Sequence, residues 1–275
     1  MEKTNRMKSK IYDCVTFYNE NLQVNLRFNI LNDYVDKFVI CESRFDHKGN
    51  KKKLNFKIDE FSNFKDKIIY LILDKQFPDI TSPWITQAYQ REFLLENLKE
   101  LNPDDYIMFS DPDEIPRPKL LRNFNLKKKF GIFMQNMFSY KLNVYNSIES
   151  PWEGTRIARK KDLESIDYLR QKVLKKNLKY SFLRIDKEKN IEIFEKGGWH
   201  FNYLLKPEEI SIKLKTFAHT EFNKEIYTDI KKIKNNIANC KDLFQRGHTY
   251  QKVEIDKTFP KYIFENKEKF KEWII

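Results

Sequence analysis

The chain has 275 residues, 40% of them hydrophobic and 15% aromatic, with 52 Lys+Arg against 40 Asp+Glu and a formal charge of +12. That apolar content offsets the entropy of ordering and excludes a disordered chain, and the length supports a large core without disulfide staples. No stretch approaches the roughly 20 apolar residues of a membrane span, and MEKTNRMKSK lacks the apolar segment of a signal peptide, so a soluble, cytoplasmic protein is expected.

The first elements alternate. IYDCVTF, residues 11–17, reads as a buried strand, and NENLQVNLRFNIL then places Leu22, Leu26 and Ile30 at helical spacing. DKFVICES and IIYLIL (68–73) follow as strands. Ser82 is a candidate N-cap with Pro83 at the first helical position, and Ile85, Tyr89 and Phe93 continue a helix that Asn102-Pro103 stops. DYIMFS is a fourth strand. Such alternation predicts an α/β fold with a mostly parallel sheet, whose ligands bind beyond the carboxyl ends of the strands.

At one of those ends stands IMFSDPDEIPRPK (107–119), the densest acid in a basic chain. In an extended backbone Asp111 and Asp113 leave on the same face and Glu114 on the other, with Pro112 stiffening the pair. Carboxylate oxygens suit Mg²⁺ or Mn²⁺, which share their shells with substrate phosphates. The alternative is a plain acidic and proline-rich turn that ends a strand. Glu114 is a candidate base, or a carboxylate that orients an arginine.

Residues 130–145 read as further strand, followed by a loop around Trp152, a basic stretch to Lys179, strands near 181–195, and helices from Pro207 onward. The expected organisation is one domain over 1–275, with a nucleotide-binding half at 11–145, a metal and acceptor half at 146–222 and C-terminal helices at 223–275. The lysines are scattered, as solvated faces are, so no nucleic-acid groove is expected. Cys14, Cys41 and Cys240 lack metal-type spacing and read as reduced core residues.

Four blocks carry a family resemblance: FYNENLQVNLRFNILNDYVDKFVICESRFDHKGNKKKLNF, QAYQREFLLENL, DYIMFSDPDEIP and GGWHFNY. In that order, across residues 11 to 222, the chain resembles glycosyltransferase family 17, whose animal members add the bisecting N-acetylglucosamine to N-glycans. The resemblance implies a GT-A-like fold, a UDP-sugar donor (UDP-GlcNAc by analogy), Mn²⁺ or Mg²⁺, a glycan acceptor and inversion at the anomeric carbon. Asp111 and Asp113 would hold the metal and diphosphate, with His200 of Gly197-Gly198-Trp199-His200 as third contact. His219 is an alternative to His200, and Glu221 beside it is a second candidate base. Thr16, Phe17, Asn19 and Glu42 are candidates for the uridine and Arg91 for the diphosphate, each with a capping or solvated role as the alternative. Trp152 could stack on an acceptor sugar with Arg156 beside it, or simply pack in the core. The animal relatives are Golgi-anchored; with no anchor evident here, a bacterial or viral enzyme acting on a surface glycan or lipid-linked sugar, with peripheral membrane contact, is the expected variant. The rival readings are a metal phosphohydrolase using the same aspartates and a non-catalytic nucleic-acid-binding protein.

Overall fold

The computed structural model describes residues 8 to 216 and 222 to 275. In chain order its main elements are β1 (Ile11–Phe17), α1 (Asn21–Leu31), β2 (Lys37–Ser43), β3 (Ile68–Leu73), α2 (Pro83–Glu96), β4 (Tyr106–Ser110), β5 (Glu114–Pro116), α3 (Pro118–Leu121), β6 (Phe130–Ser139), β7 (Val144–Tyr145) and β8 (Trp152–Arg159). There follow α4 (Ile166–Gln171), β9 (Ile191–Asn202), α5 (Pro207–Thr216), α6 (Glu225–Thr228), α7 (Ile230–Ala238), β10 (Gln251–Lys252) and α8 (Lys261–Glu265). The strands form one sheet in the order β10-β7-β6-β8-β4-β1-β2-β3, with β9 joining β6 and β5 pairing with β9.

The α/β expectation holds. Strands β3, β2, β1 and β4 run parallel, with Cys14 beside Val39 on one side and Phe109 on the other. Period-2 alternation divides their side chains between two cores. Val15, Phe38 and Met108 join Leu26, Phe28 and Leu31 of α1 on one face, while Cys14, Val39, Cys41 and Phe109 join Leu94 and Leu95 of α2 on the other. Cys14 and Cys41 are thus free, buried core thiols, while Cys240 is half-buried. Ser82 caps α2, accepting from the Trp84 amide at 3.3 Å, with Pro83 at its start. The four parallel strands end on one edge of the sheet, at Phe17, Ser43, Leu73 and Ser110.

Beyond β4 the sheet turns antiparallel at β8, and local expectation fails more often. Helix α2 ends at Glu96, before Asn102-Pro103. The strand expected to run to residue 145 breaks at Tyr140, whose φ is 69°. The loop expected around Trp152 is strand β8, paired with both β4 and β6. Residues 181–190, expected as strand, form a series of tight turns, and the basic stretch before them hides α4. A third core packs α5 and α7 against Tyr140, Val144 and Tyr203.

Candidate active site at the end of β4

The acidic cluster is a reverse turn, not the extended run that would put Asp111 and Asp113 on one face. The Glu114 amide donates to the Asp111 carbonyl at 3.0 Å, and the Asp111 amide donates back to Glu114 Oε2 at 3.2 Å. From there β5 pairs with β9, placing Glu114 opposite His200 and Pro116 opposite Gly198. The Phe201 amide donates to the Asp113 carbonyl at 2.9 Å, so β9 clamps the turn from its far side. Gly198 makes this closeness possible: at φ 146° a Cβ there would lie 2.1 Å from the Ile115 carbonyl oxygen. The glycine at 198 thus serves strand contact.

The turn places its carboxylates in different surroundings. Asp111 keeps 35% of its side chain exposed and Asp113 10%, while Glu114 is fully buried. Glu114 Oε1 accepts from Trp152 Nε1 at 2.7 Å and from Arg170 Nη2 at 2.6 Å, and Oε2 accepts from Arg170 Nη1 at 3.1 Å. With both oxygens engaged and no solvent contact, Glu114 is an anchor and does not meet the needs of a general base. Arg170, delivered by α4, also donates to Asp111 Oδ2 at 2.8 Å and to the Gly154 carbonyl at 2.9 Å. One planar guanidinium thus ties two acids of the turn to β8.

Below the turn lies a second buried cation. Arg27 of α1 donates through Nε to Asp13 at 2.6 Å, through Nη2 to Ser110 Oγ at 2.9 Å and through Nη1 to the Glu114 carbonyl at 2.6 Å. Ser110 and Thr155 hydroxyls meet at 2.8 Å, and Gln135 donates to Thr155 at 3.1 Å.

Electrostatics separate the acids further. Burial would raise the Asp111 carboxyl, but Arg170, with Arg91 and His200 farther off, holds it below the ordinary range against the charge of Asp113. Burial likewise opposes ionisation of Asp113, yet the charge and hydrogen bond of His200 bring it down to about 2. His200 Nε2 stands 3.4 Å from Asp113 Oδ1, and this pairing outweighs the effect of burial and raises the imidazole above its usual value. Its Nδ1 is buried without a hydrogen-bond partner, and its ring lies 5.3 Å from that of Trp152.

The remaining candidates divide. Thr16 and Phe17 end β1, whose Val15 sits beside Ser110, so they share the rim with Asp111; Phe17 is buried edge-on against Phe56. Asn19 lies just beyond, its Oδ1 accepting from Asn21. Glu42 is fully buried and holds the following loop: Lys52, the amides of Asn55 and Phe56, and the Tyr70 hydroxyl all donate to it at 2.6–3.0 Å, leaving no free oxygen for a ribose. Arg91 is buried between α2 and α4, paired with Asp167 at 2.8 Å and lying over Phe109, so its charge reaches Asp111 but its side chain does not reach solvent. Arg156 is 2% exposed, and its guanidinium donates to the carbonyls of Glu153, Gly154 and Val173, so it builds the wall of the site and cannot touch an acceptor. Trp152 is half-buried and donates to Glu114. His219 and Glu221 lie outside the described residues.

Sequence reasoning missed Arg170, Arg27 and Asp13. A local signal existed for the helix: Ser165 is an N-cap whose Oγ accepts from the Tyr168 amide at 2.9 Å, ahead of buried Ile166 and Leu169. Nothing local ties Arg170 to an acid 56 residues earlier.

The chain is 33% identical over 117 residues to the β-1,4-mannosyl-glycoprotein 4-β-N-acetylglucosaminyltransferases of Rattus norvegicus and Homo sapiens, a match covering 39% of this chain and 22% of each relative. Among solved structures, HddC from Yersinia pseudotuberculosis aligns at TM-score 0.37 and 11% identity over 68% of this chain and 91% of its own. The glycosyltransferase GlyE of Streptococcus pneumoniae TIGR4 aligns at TM-score 0.34 and 12% identity, over 68% of this chain and 45% of its own. The model of glycosyltransferase family 17 matches residues 2–273, nearly the whole length, and the chain belongs to that family.

Proposed function

We propose that this glycosyltransferase is metal-dependent and inverting, and moves N-acetylglucosamine from UDP-GlcNAc to a glycan hydroxyl. The observation that carries the reading is the Asp111-Pro112-Asp113 turn, held rigid at the carboxyl end of a parallel strand with its two aspartates kept ionised. The names of the mammalian relatives support the choice of sugar.

Among the described residues no three His, Cys, Asp or Glu side chains are disposed to hold an ion. Two ionised carboxylates, one of them 35% exposed, nevertheless suit a hard cation that takes its other ligands from water and a diphosphate. Asp111 and Asp113 would hold it, and when bound it would offset the charge gathering on the departing diphosphate. The chain's own residues supply the rest. Arg170 fixes the Asp111 carboxylate and brings a second positive charge to the rim, and His200 keeps Asp113 ionised and oriented. Thr16 and Asn19 line the adjoining rim for the nucleoside. Glu221 is the base to test, because Glu114 is committed to Arg170 and Trp152.

A thermal-shift titration with UDP-GlcNAc, in Mn²⁺ and in EDTA, tests binding, since a ligand of the native state alone raises Tm. UDP release then tests turnover. A shift that requires Mn²⁺ and disappears in Asp113→Asn, measured from that variant's own ligand-free Tm, is expected, together with a loss of about a hundredfold or more in UDP release. An Asp113→Asn protein that still turns over donor in EDTA would overturn the metal site.

A further inference from the structure

Between α4 and β9 the chain exposes a patch that the transfer reaction does not use. Phe182 is 83% exposed, Leu183 73% and Ile185 94%, the greatest exposures of large apolar side chains among the described residues. They are not on an unstructured strand of chain. The Arg184 amide donates to the Ser181 carbonyl at 3.0 Å, that of Ile185 to Leu183 at 3.0 Å, and that of Lys187 to Arg184 at 3.2 Å, a run of tight turns. Arg184 grips Asp186 at 2.7 and 2.8 Å and lies over the Tyr180 ring, where Lys187 also approaches. The polar groups of the loop are thus satisfied within it, while its apolar side chains stand in water. Exposed apolar clusters of this kind mark contact with lipid or protein.

Charge identifies the occupant. Residues 172–189 carry seven Lys and Arg against two acids, Asp186 and Glu188. Apolar side chains interspersed along the chain with cations match the boundary of an anionic bilayer, where acyl chains lie just beneath negative headgroups. A protein partner would have to expose an acidic rim around an apolar hollow; a bilayer of anionic phospholipid presents both over its whole area. We propose that the loop at residues 178–189 docks this enzyme on an anionic phospholipid surface, with Phe182, Leu183 and Ile185 entering the interface and the surrounding lysines at the headgroups. The foot of the loop is tied to strands bordering the site: the Lys175 amide donates to Glu153 of β8 at 3.0 Å, and Lys175 Nζ pairs with Glu195 of β9 at 2.7 Å. The inference does not depend on the identity of the donor.

Flotation of the whole chain with vesicles tests it. Binding is expected to phosphatidylcholine vesicles containing phosphatidylglycerol, weakening as salt rises and absent with phosphatidylcholine alone. The triple change Phe182→Ser, Leu183→Ser, Ile185→Ser should lower partitioning by about tenfold or more without altering Tm, because these side chains have no core to lose. Lys179→Glu with Lys187→Glu should weaken binding by about fivefold for each charge removed, while leaving the apolar residues in place. Failure to float with anionic vesicles, or flotation that survives the triple change, would overturn the proposal. So would sedimentation showing that the patch joins two copies, in a dimer that the triple change dissolves and that does not bind vesicles.

Discussion

The parallel quartet β3-β2-β1-β4 and the antiparallel corner where β5, β8, β9 and α4 meet solve the same burial problem differently. In the quartet, residues 14 and 15, 38 and 39, and 108 and 109 alternate between two apolar cores, so the fold follows from hydrophobic period. In the corner, three acids crowd one turn and are held from distant segments: Arg170, 56 residues from Glu114, pairs with Glu114 and Asp111, His200 of β9 pairs with Asp113, and Arg27 bonds the Glu114 carbonyl from 87 residues away. A core of many interchangeable contacts tolerates substitution, whereas a buried charge with one partner does not. The acidic turn thus belongs to the region whose stability is least distributed.

The largest effect is expected where the two regions join. Arg27→Met leaves Asp13 buried and uncompensated at 1% exposure, and should cost about 3–5 kcal/mol in urea unfolding; a smaller loss than an Ile→Val change in the quartet would erase the contrast. Next is Gly198→Ala, which sets a Cβ against the Ile115 carbonyl at positive φ and should cost about 3 kcal/mol. Arg170→Ala removes the partner of Glu114 and should cost about 2 kcal/mol and lower donor turnover more than tenfold; Arg170→Lys should recover less than half of either, because an ammonium cannot fork across Asp111 and Glu114. Equal rescue by lysine would mean that charge alone, not geometry, holds the turn. Trp152→Phe deletes one donor to Glu114 while keeping ring packing, for about 1 kcal/mol by thermal melting.

The smallest expected effect lies outside both regions. Burial opposes the charge of Asp242, but its hydrogen bonds from Arg246 and Tyr250 hold its carboxyl below the ordinary 3.8. A depressed carboxyl stabilises the fold above its unfolded value and loses that contribution as pH falls through the folded one. The Tm gap between wild type and Asp242→Asn should therefore stay constant from neutral pH down to about 5, then shrink at lower pH. A gap that widens on acidification would contradict the assignment.

Much of the quartet was legible residue by residue: β1 at 11–17, β3 at 68–73, and the Ser82-Pro83 entry to α2 all stand where local pattern puts them. The position of the acidic cluster at a strand end was legible too, but its shape was not. Alternation assumed an extended chain, whereas the Glu114 amide closes a turn on Asp111. Glu42 and Arg156 were candidate ligand contacts, yet each is buried by segments that sequence does not place beside it. Trp152 read as loop because β8 is recognised only through its partners β4 and β6.

By itself the sequence determined the elements whose signal lies within a few residues: strand and helix periods, caps, the family blocks and the location of the acid. Only tertiary structure decided which acids stay open and which are locked, because that depends on cations and strand partners brought together across 38 to 87 residues. A hydrophobic period is repeated along the chain and can be read locally. A salt bridge across the fold leaves its two halves unmarked until the chain closes.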